Sequence, residues 1–342
     1  MRQALIAVMV LLLVPAGASA ATASVDVHVS TGKGCSVSPE SCVQAELDFT
    51  AAAGEANDVE VSTAGSSLVV RDPGTGVSAG SGCQQQGPKM VRCSPPEGPS
   101  MGFVLISVVL GDGVDVLRNT TGIVSSATGG SGDDRLTGGT SSDTFDGGAG
   151  RDRLEGADGS DYLQDTGPVE PDVLDGGAGY DKVDYSMRAA RVTVDLRGPA
   201  SPSGAAGEDD SLVGIEEGHG GRGPDLLRAG ADPVVLVGHG GADRIIGGFG
   251  NDLLIGNTGD DKLYGIGGSD RLVGGAGNDG LRAGCGRSKL FGNAGNDRFD
   301  SRNGAANRVV GGAGRDVAVL DQLDTTQQVE RRTRQHIDAC AL

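Results

Sequence analysis

Large apolar residues in the C-terminal two-thirds of the chain do not follow a helical period. From residue 129 onward one such residue recurs every nine positions, as Leu136, Phe145 and Leu154 do early on and Leu254, Leu263, Leu272 and Leu281 do later. Each has polar or small neighbours, the pattern of a very short strand with one side chain turned inward. A glycine-rich stretch precedes each one, and glycine adopts the positive φ of a tight turn without steric cost. The sequence therefore predicts a turn and a short strand, repeated many times.

Aligned on their glycines, the repeats read GGSGDDRLT (129–137), GGTSSDTFD (138–146), GGAGRDRLE (147–155) and GADGSDYLQ (156–164). GGAGYDKVD (176–184) follows an irregular stretch containing Pro168 and Pro171. A second array opens with GGRGPDLLR (220–228) and a degenerate AGADPVVLV (229–237), then runs from 238 to 300 without an inserted residue. The frame slips by one residue between Asn303 and Val310, and GGAGRDVAV (311–319) closes the array. A flexible glycine-rich linker would show glycine without this phase.

Ahead of the arrays the pattern is different. Val25, Val27 and Val29 alternate with polar residues, as do Val59 and Val61. Leu68–Val70, Lys89–Cys93 and Phe103–Leu110 are further strand candidates between Gly, Pro and Ser turns. Residues 21–110 are expected to form a small β domain. Residues 1–20 read as a secretory signal: Arg2, the apolar run Ala4–Val14, and Ala18-Ser19-Ala20 as a cleavage site after Ala20. The apolar run is too short to span a membrane, and no later one is long enough. Secretion to the cell exterior is the expectation.

Composition narrows this picture. The 342 residues include 61 glycines and no tryptophan, and aromatics make up only 3%, too little for a large conventional core. The formal net charge of −18 disfavours nucleic acid and anionic membrane surfaces as partners and suits a cation binder. Export would place the six cysteines where disulfides form. Cys35/Cys42 and Cys83/Cys93 are close pairs that staple the N-terminal domain, and Cys285 and Cys340 remain as a third candidate pair. No CxxC spacing points to a cysteine metal site.

The nonapeptide G-G-x-G-x-D-x-U-x, with U aliphatic, resembles the calcium-binding repeat of RTX (repeats-in-toxin, haemolysin-type) proteins. The match covers most of residues 129–319. DYSMRAARVTVDLRG…DDSLVGIEEG (184–218) is similar to the non-repeat inserts found between RTX arrays, and GEANDVEV…VVRDPGTGVSAGSGC…MVRC resembles the leader domain of exported RTX-repeat proteins from high-GC bacteria. The resemblance implies an all-β chain: a parallel β-roll solenoid of Ca²⁺-binding nonapeptides behind a small disulfide-stapled β domain. The expected division is a signal peptide (1–20), an N-terminal β domain (21–110), a first array (111–184), a non-repeat insert (185–219), a second array (220–319) and a C-terminal cap or tail (320–342). RTX toxins and proteases usually leave by an uncleaved C-terminal signal. The N-terminal one here resembles the forms exported through the general secretory route.

Two nonapeptides make one coil of such a roll, so residues 18 apart stack as neighbouring strands about 4.8 Å apart. Asp225, Asp243, Asp261, Asp279 and Asp297 then form one vertical ladder, and Asp252 and Asp270 start another on the opposite side. Asp134/Asp152 and Asp143/Asp161 pair in the first array, and Asp181 and Asp316 hold the same position six. At roughly 5 Å and an effective dielectric near 20, two adjacent carboxylates repel by about 3 kcal/mol. Ca²⁺, which takes six to eight oxygens from carboxylates and carbonyls, reverses that sign. These thirteen aspartates are the expected metal ligands. Val234 and Ser288 stand where two more would be, so their turns are expected to bind calcium poorly.

An enzyme is the alternative reading. Neither HExxH nor a P-loop is present, and Gly76-Val77-Ser78-Ala79-Gly80 matches the G-x-S-x-G nucleophile elbow without the helical pattern that motif needs. His28, His219, His239 and His336 are scattered and read as surface residues, His239 in a turn-glycine slot. The expectation is a calcium-binding structural or interaction module without catalysis. The alternative is an atypical secreted hydrolase centred on residues 21–110.

Overall fold

The computed structural model describes residues 23–31, 43–95, 102–206 and 208–334. The expected signal peptide, Cys35, Cys42 and Cys340 lie outside them. The described residues form strands and turns with no helix, so no helix among them is long and apolar enough to cross a membrane.

A fifteen-stranded sheet runs the length of the molecule, faced by two nine-stranded sheets placed one after the other. Within the repeat arrays, successive strands alternate between the long sheet and a short one, and each pairs in parallel with a strand one coil on. Leu236, Leu254, Leu272, Leu290 and Val309 stack along the long sheet. Leu227, Ile245, Leu263, Leu281, Phe299 and Ala318 stack along the facing sheet. All are buried. The core is thus two columns of position-eight side chains meeting between sheets, and the chain needs only one large apolar residue per nonapeptide to fill it.

The 18-residue step holds through 238–300. The slip after Asn303 is absorbed in a turn, so Lys289 pairs with Arg308 at a step of 19. The stretch with Pro168 and Pro171 widens its coil to 20, as in the Arg153–Val173 pairing.

Residues N-terminal to the glycine repeats belong to the same stack. Val43–Thr50 pairs in parallel with Phe103–Asp112, which pairs with Ser125–Ser131, and Asp58–Ala64 pairs in parallel with Val116–Asn119. Parallel coiling therefore crosses residue 110 without a break, because strand pairing does not require glycine turns. Antiparallel pairs close this end: Ala23–Thr31 on Val43–Thr50, and Ser67–Arg71, Met90–Cys93 and Cys83–Gly87 beyond Asp58–Ala64. A Cys83–Cys93 disulfide staples directly paired residues of that closing sheet.

In the insert, the long sheet continues from Lys182–Asp184 through Glu217–His219 to Val235–Gly240. The opposite face changes sheets there. The first short sheet ends at Ser211–Val213, and the second begins with Gly204–Ala205 and Val192–Asp195. At the far end, Thr325–Gln327 and Arg331–Arg334 add the last strands to the long and second short sheets.

Candidate metal centre

Each aspartate at position six sits where a turn enters a strand, at one edge of the roll. The backbone N–H of one aspartate donates to Oδ1 of the aspartate one coil on. On one edge these bonds link Asp225, Asp243, Asp261, Asp279, Asp297 and Asp316 in order, at 2.8–2.9 Å. On the other edge Val234 donates to Asp252 and Asp252 to Asp270, both at 3.1 Å. Asp134 donates to Asp152, Asp143 to Asp161 and Asp161 to Asp181 in the first array, at 2.7–2.8 Å. All thirteen expected residues are buried and stand in these ladders.

Only half of each carboxylate is used this way. Oδ2 of Asp134, Asp152, Asp161, Asp181, Asp243, Asp252, Asp261, Asp270, Asp279, Asp297 and Asp316 is buried without a hydrogen-bond partner. Asp143 and Asp225 differ, because their Oδ2 accepts the N–H of Gly139 and Gly221 respectively. The unused oxygens are aimed at the first glycine of their own turn. A Cβ on Gly256 would collide with Asp261 Oδ2 and lie 2.7 Å from the Gly274 carbonyl oxygen of the next coil. Gly138, Gly156, Gly238, Gly247, Gly265 and Gly292 stand in the same relation to their own aspartate and to a carbonyl one coil on. The same constraint acts at position four: Gly259 has φ +131°, and a Cβ there would strike the Gly241 carbonyl oxygen of the previous coil. The turns can stack this closely only without side chains at these points.

Burial in the glycine turns raises these acids, and at some of them, such as Asp243 and Asp270, carboxylates one coil away add to it. Asp134, Asp161, Asp243 and Asp270 are pushed up to about 7, each by desolvation first. Asp152, Asp225, Asp252, Asp261, Asp279 and Asp297 are pushed up to about 6 by the same cause. A buried carboxylate oxygen without a donor, facing a carbonyl oxygen, is costly unless a proton or cation reaches it. The donor set is all oxygen, which suits a hard divalent ion such as calcium. The residues present fit that ion.

A model of the RTX calcium-binding nonapeptide repeat matches the chain in four copies, at residues 128–163, 219–254, 247–281 and 281–305. The chain carries RTX calcium-binding repeats. No curated protein matches it. Asp181 and Asp316 fall outside the four copies, yet they continue the same ladders.

The RTX ladders also extend past the motif that reveals them. Asp115 donates to Asp134, Asp152 to Asp172, and Asp172 to Asp210, at 2.7–2.9 Å. Asp181 donates to Glu216 at 2.8 Å. Ser288 Oγ takes the bond from Asp270, and Asn307 and Asp324 carry that edge onward. The signal for three of these was in the sequence: Asp115-Val-Leu, Asp172-Val-Leu and Asp210-Ser-Leu keep the D-x-L half of the motif without its full set of glycines. A second, exposed ladder at position five was also missed. Asp260 and Asn278 accept the N–H of Asn278 and Asn296 at 2.7 and 2.9 Å, and Asn296 accepts that of Arg315.

Two other groups of polar residues converge near the insert. Asp165, Glu208 and Asp210 lie within metal-ligand reach of one another. Their cation is already supplied by the chain, because Arg188 Nη2 bridges Asp165 (2.5 Å) and Glu208 (2.6 Å), while Tyr185 donates to Asp210. The second group corrects the reading of the histidines. His219 is buried, and its Nδ1 lies 2.7 Å from His239 Nε2. Pairing of Glu217–His219 with Val235–Gly240 brings them together by setting His219 beside Val237, two residues before His239, while Asp184 lies beside His219 on the other side. His239 does take the left-handed turn position expected of it, with φ +71°.

The G-x-S-x-G sequence falls on Val77–Ala79, an edge strand paired with Ala23–Thr31. A turn and the strand Cys83–Gly87 follow it, where a nucleophile elbow has a helix.

Proposed function

We propose that this is a secreted calcium-binding protein whose RTX ladders take up Ca²⁺ between stacked turns and fold as they do so, giving an extracellular structural or interaction module without catalytic activity. The observation that carries this reading is the repeated orphaned Oδ2, facing a backbone carbonyl one coil on. The ligands are Asp134, Asp143, Asp152, Asp161, Asp181, Asp225, Asp243, Asp252, Asp261, Asp270, Asp279, Asp297 and Asp316, joined by carbonyl oxygens of the glycine turns. Bound calcium supplies the positive charge that turns repulsion between coils into cohesion. The chain does the rest. Oδ1 of each aspartate holds the preceding turn in register by accepting its backbone N–H, and the glycines keep side chains out of the cradle.

Extracellular calcium modules commonly bind with dissociation constants of about 0.1–1 mM, so cytosolic calcium would leave the ladders empty and external calcium would fill them. Export of an unfolded chain followed by folding outside is the physical consequence. Expression in a bacterial host tests the whole reading. The expected result is medium protein beginning after Ala20 and holding several calcium ions per chain in excess calcium. Protein retained in the cell with residues 1–20 attached, or medium protein free of calcium, contradicts it.

A further inference from the structure

The histidine pair belongs to none of the calcium ladders. His219 ends the strand Glu217–His219 on the outer face of the long sheet, and Asp184 occupies the same row one coil below. His239 arrives from the coil above, at position two of its turn. His219 Nε2 lies 2.7 Å from Glu217 Oε1. A carboxylate accepts and does not donate, so the ring proton of neutral His219 sits on Nε2 and leaves a bare lone pair on Nδ1. That lone pair faces His239 Nε2 at 2.7 Å, and Asp184 Oδ2 stands 4.0 Å away from it. Burial keeps both imidazoles below the usual histidine range, hence neutral.

We propose that His219 Nδ1 and His239 Nε2 bind one borderline divalent cation of the zinc class beside the insert, with the Asp184 carboxylate, 4.0 Å from His219 Nδ1, as a nearby counter-charge and not a ligand. Imidazole nitrogen suits zinc, copper and nickel, whereas calcium selects oxygen, so this site and the ladders choose different ions. Two nitrogens on a tetrahedral zinc at 2.0–2.1 Å lie about 3.3 Å apart. The pair has to open by roughly half an ångström, which small side-chain rotations supply. The proton now between the rings moves to Nδ1 of His239, and no proton is lost. Glu217 acts as the partner that fixes the His219 tautomer, and Tyr162 O–H, 2.7 Å from Asp184 Oδ2, orients the carboxylate. Lys182 Nζ, 3.2 Å from that same oxygen, holds the carboxylate from its other side.

The site ties two neighbouring strands of the long sheet, Glu217–His219 and Val235–Gly240, together at the level where the facing sheet is interrupted. Its role is therefore a second, calcium-independent clamp at the start of the second array.

The test is a zinc titration by calorimetry, with zinc alone as the probe, on full-length protein already folded in excess calcium by its dichroism. His239→Asn is the informative variant. Asn257 and Asn293 hold the equivalent turn position at φ +74° and +75°, so asparagine fits there. The expected result is a single zinc per chain, bound at least about tenfold more weakly in His239→Asn and unchanged in a His28→Gln/His336→Gln double variant. No zinc uptake, or uptake that His239→Asn leaves unaltered, overturns the proposal. Folding of His239→Asn in calcium should match that of the unmodified chain, which separates this site from the ladders.

Discussion

The backbone N–H of Asp261 donates to Oδ1 of Asp279, one coil away, at 2.9 Å, while Oδ2 of both residues is buried with no hydrogen-bond partner. One oxygen of each carboxylate thus sets the register of the stack, and the other is left for a cation. Each aspartate is bound into its neighbours on both sides, so its value depends on its place in the ladder.

Asp261 stands mid-ladder, with Asp243 donating to it and Asp279 accepting from it. Asp252 has Val234 on one side, and beyond its partner Asp270 lies Ser288. Solenoid stability is roughly a sum over repeats and nearest neighbours, so loss of a shared ligand weakens two interfaces. Asp261→Ala should raise the calcium midpoint of folding more than Asp252→Ala and remove more bound calcium. Each change also orphans a backbone N–H at about 1–3 kcal/mol, a common cost that cancels between the two. Calcium titrations followed by dichroism decide it, and equal shifts would contradict the pairing.

The raised acids predict an inverted pH dependence without calcium. Their folded values of about 6 to 7 lie above the ordinary 3.8, so the folded state holds more protons than the unfolded chain between those limits. Stability from these groups is complete below about pH 4 and is lost as pH rises through 6 to 7. In chelator, the roll should be more ordered at mildly acidic than at alkaline pH. Because protons and calcium compete for Oδ2, the calcium midpoint should rise as pH falls from 8 to 6. A midpoint that falls instead would show that these carboxylates are not the ligands.

Two glycines separate stacking from composition. Gly259 combines φ +131° with a carbonyl in the path of any Cβ, so Gly259→Ala should cost about 1–3 kcal/mol or more and raise the calcium midpoint. Gly280 lies in a strand, and a Cβ there would meet nothing nearer than 3.8 Å. Gly280→Ala should be neutral or stabilising by up to about 1 kcal/mol. Thermal melts of both variants in calcium test the contrast.

The Cys83–Cys93 bond lies in the antiparallel end of the stack, away from the ladders. Closing a loop of ten residues constrains the unfolded chain by about 2–3 kcal/mol. Peptide mapping without reductant should find this pair in chelator and in calcium alike, and reduction should destabilise the N-terminal end while leaving calcium uptake largely intact.

Much of the roll was legible because its chemistry repeats. One aliphatic residue, one aspartate and up to three glycines per nonapeptide locate the inward column, the ladder and the turn, and an 18-residue step pairs Asp243 with Asp261. What escaped was whatever the repeat does not carry. Asp172 and Asp210 are 38 residues apart and become neighbours only because the insert loops out between them. His219 and His239 escaped for a different reason: the 18-residue step sets His219 beside Val237, and His239 lies two residues further on, off the aspartate frame. Several N-terminal strands were legible as strands, but Val43–Thr50 was missed, and the union of this end with the roll rests on its pairing with Phe103–Asp112, which alternation alone does not encode.

The most direct test of the account is far-ultraviolet circular dichroism of the mature chain at slightly alkaline pH, first in excess chelator and then in millimolar calcium. Unpaired carboxylates in the stacked turns should hold the repeats open without calcium, and β signal should appear cooperatively as it is added. A spectrum already β-rich in chelator and unchanged by calcium would contradict the claim that the ion is part of the core.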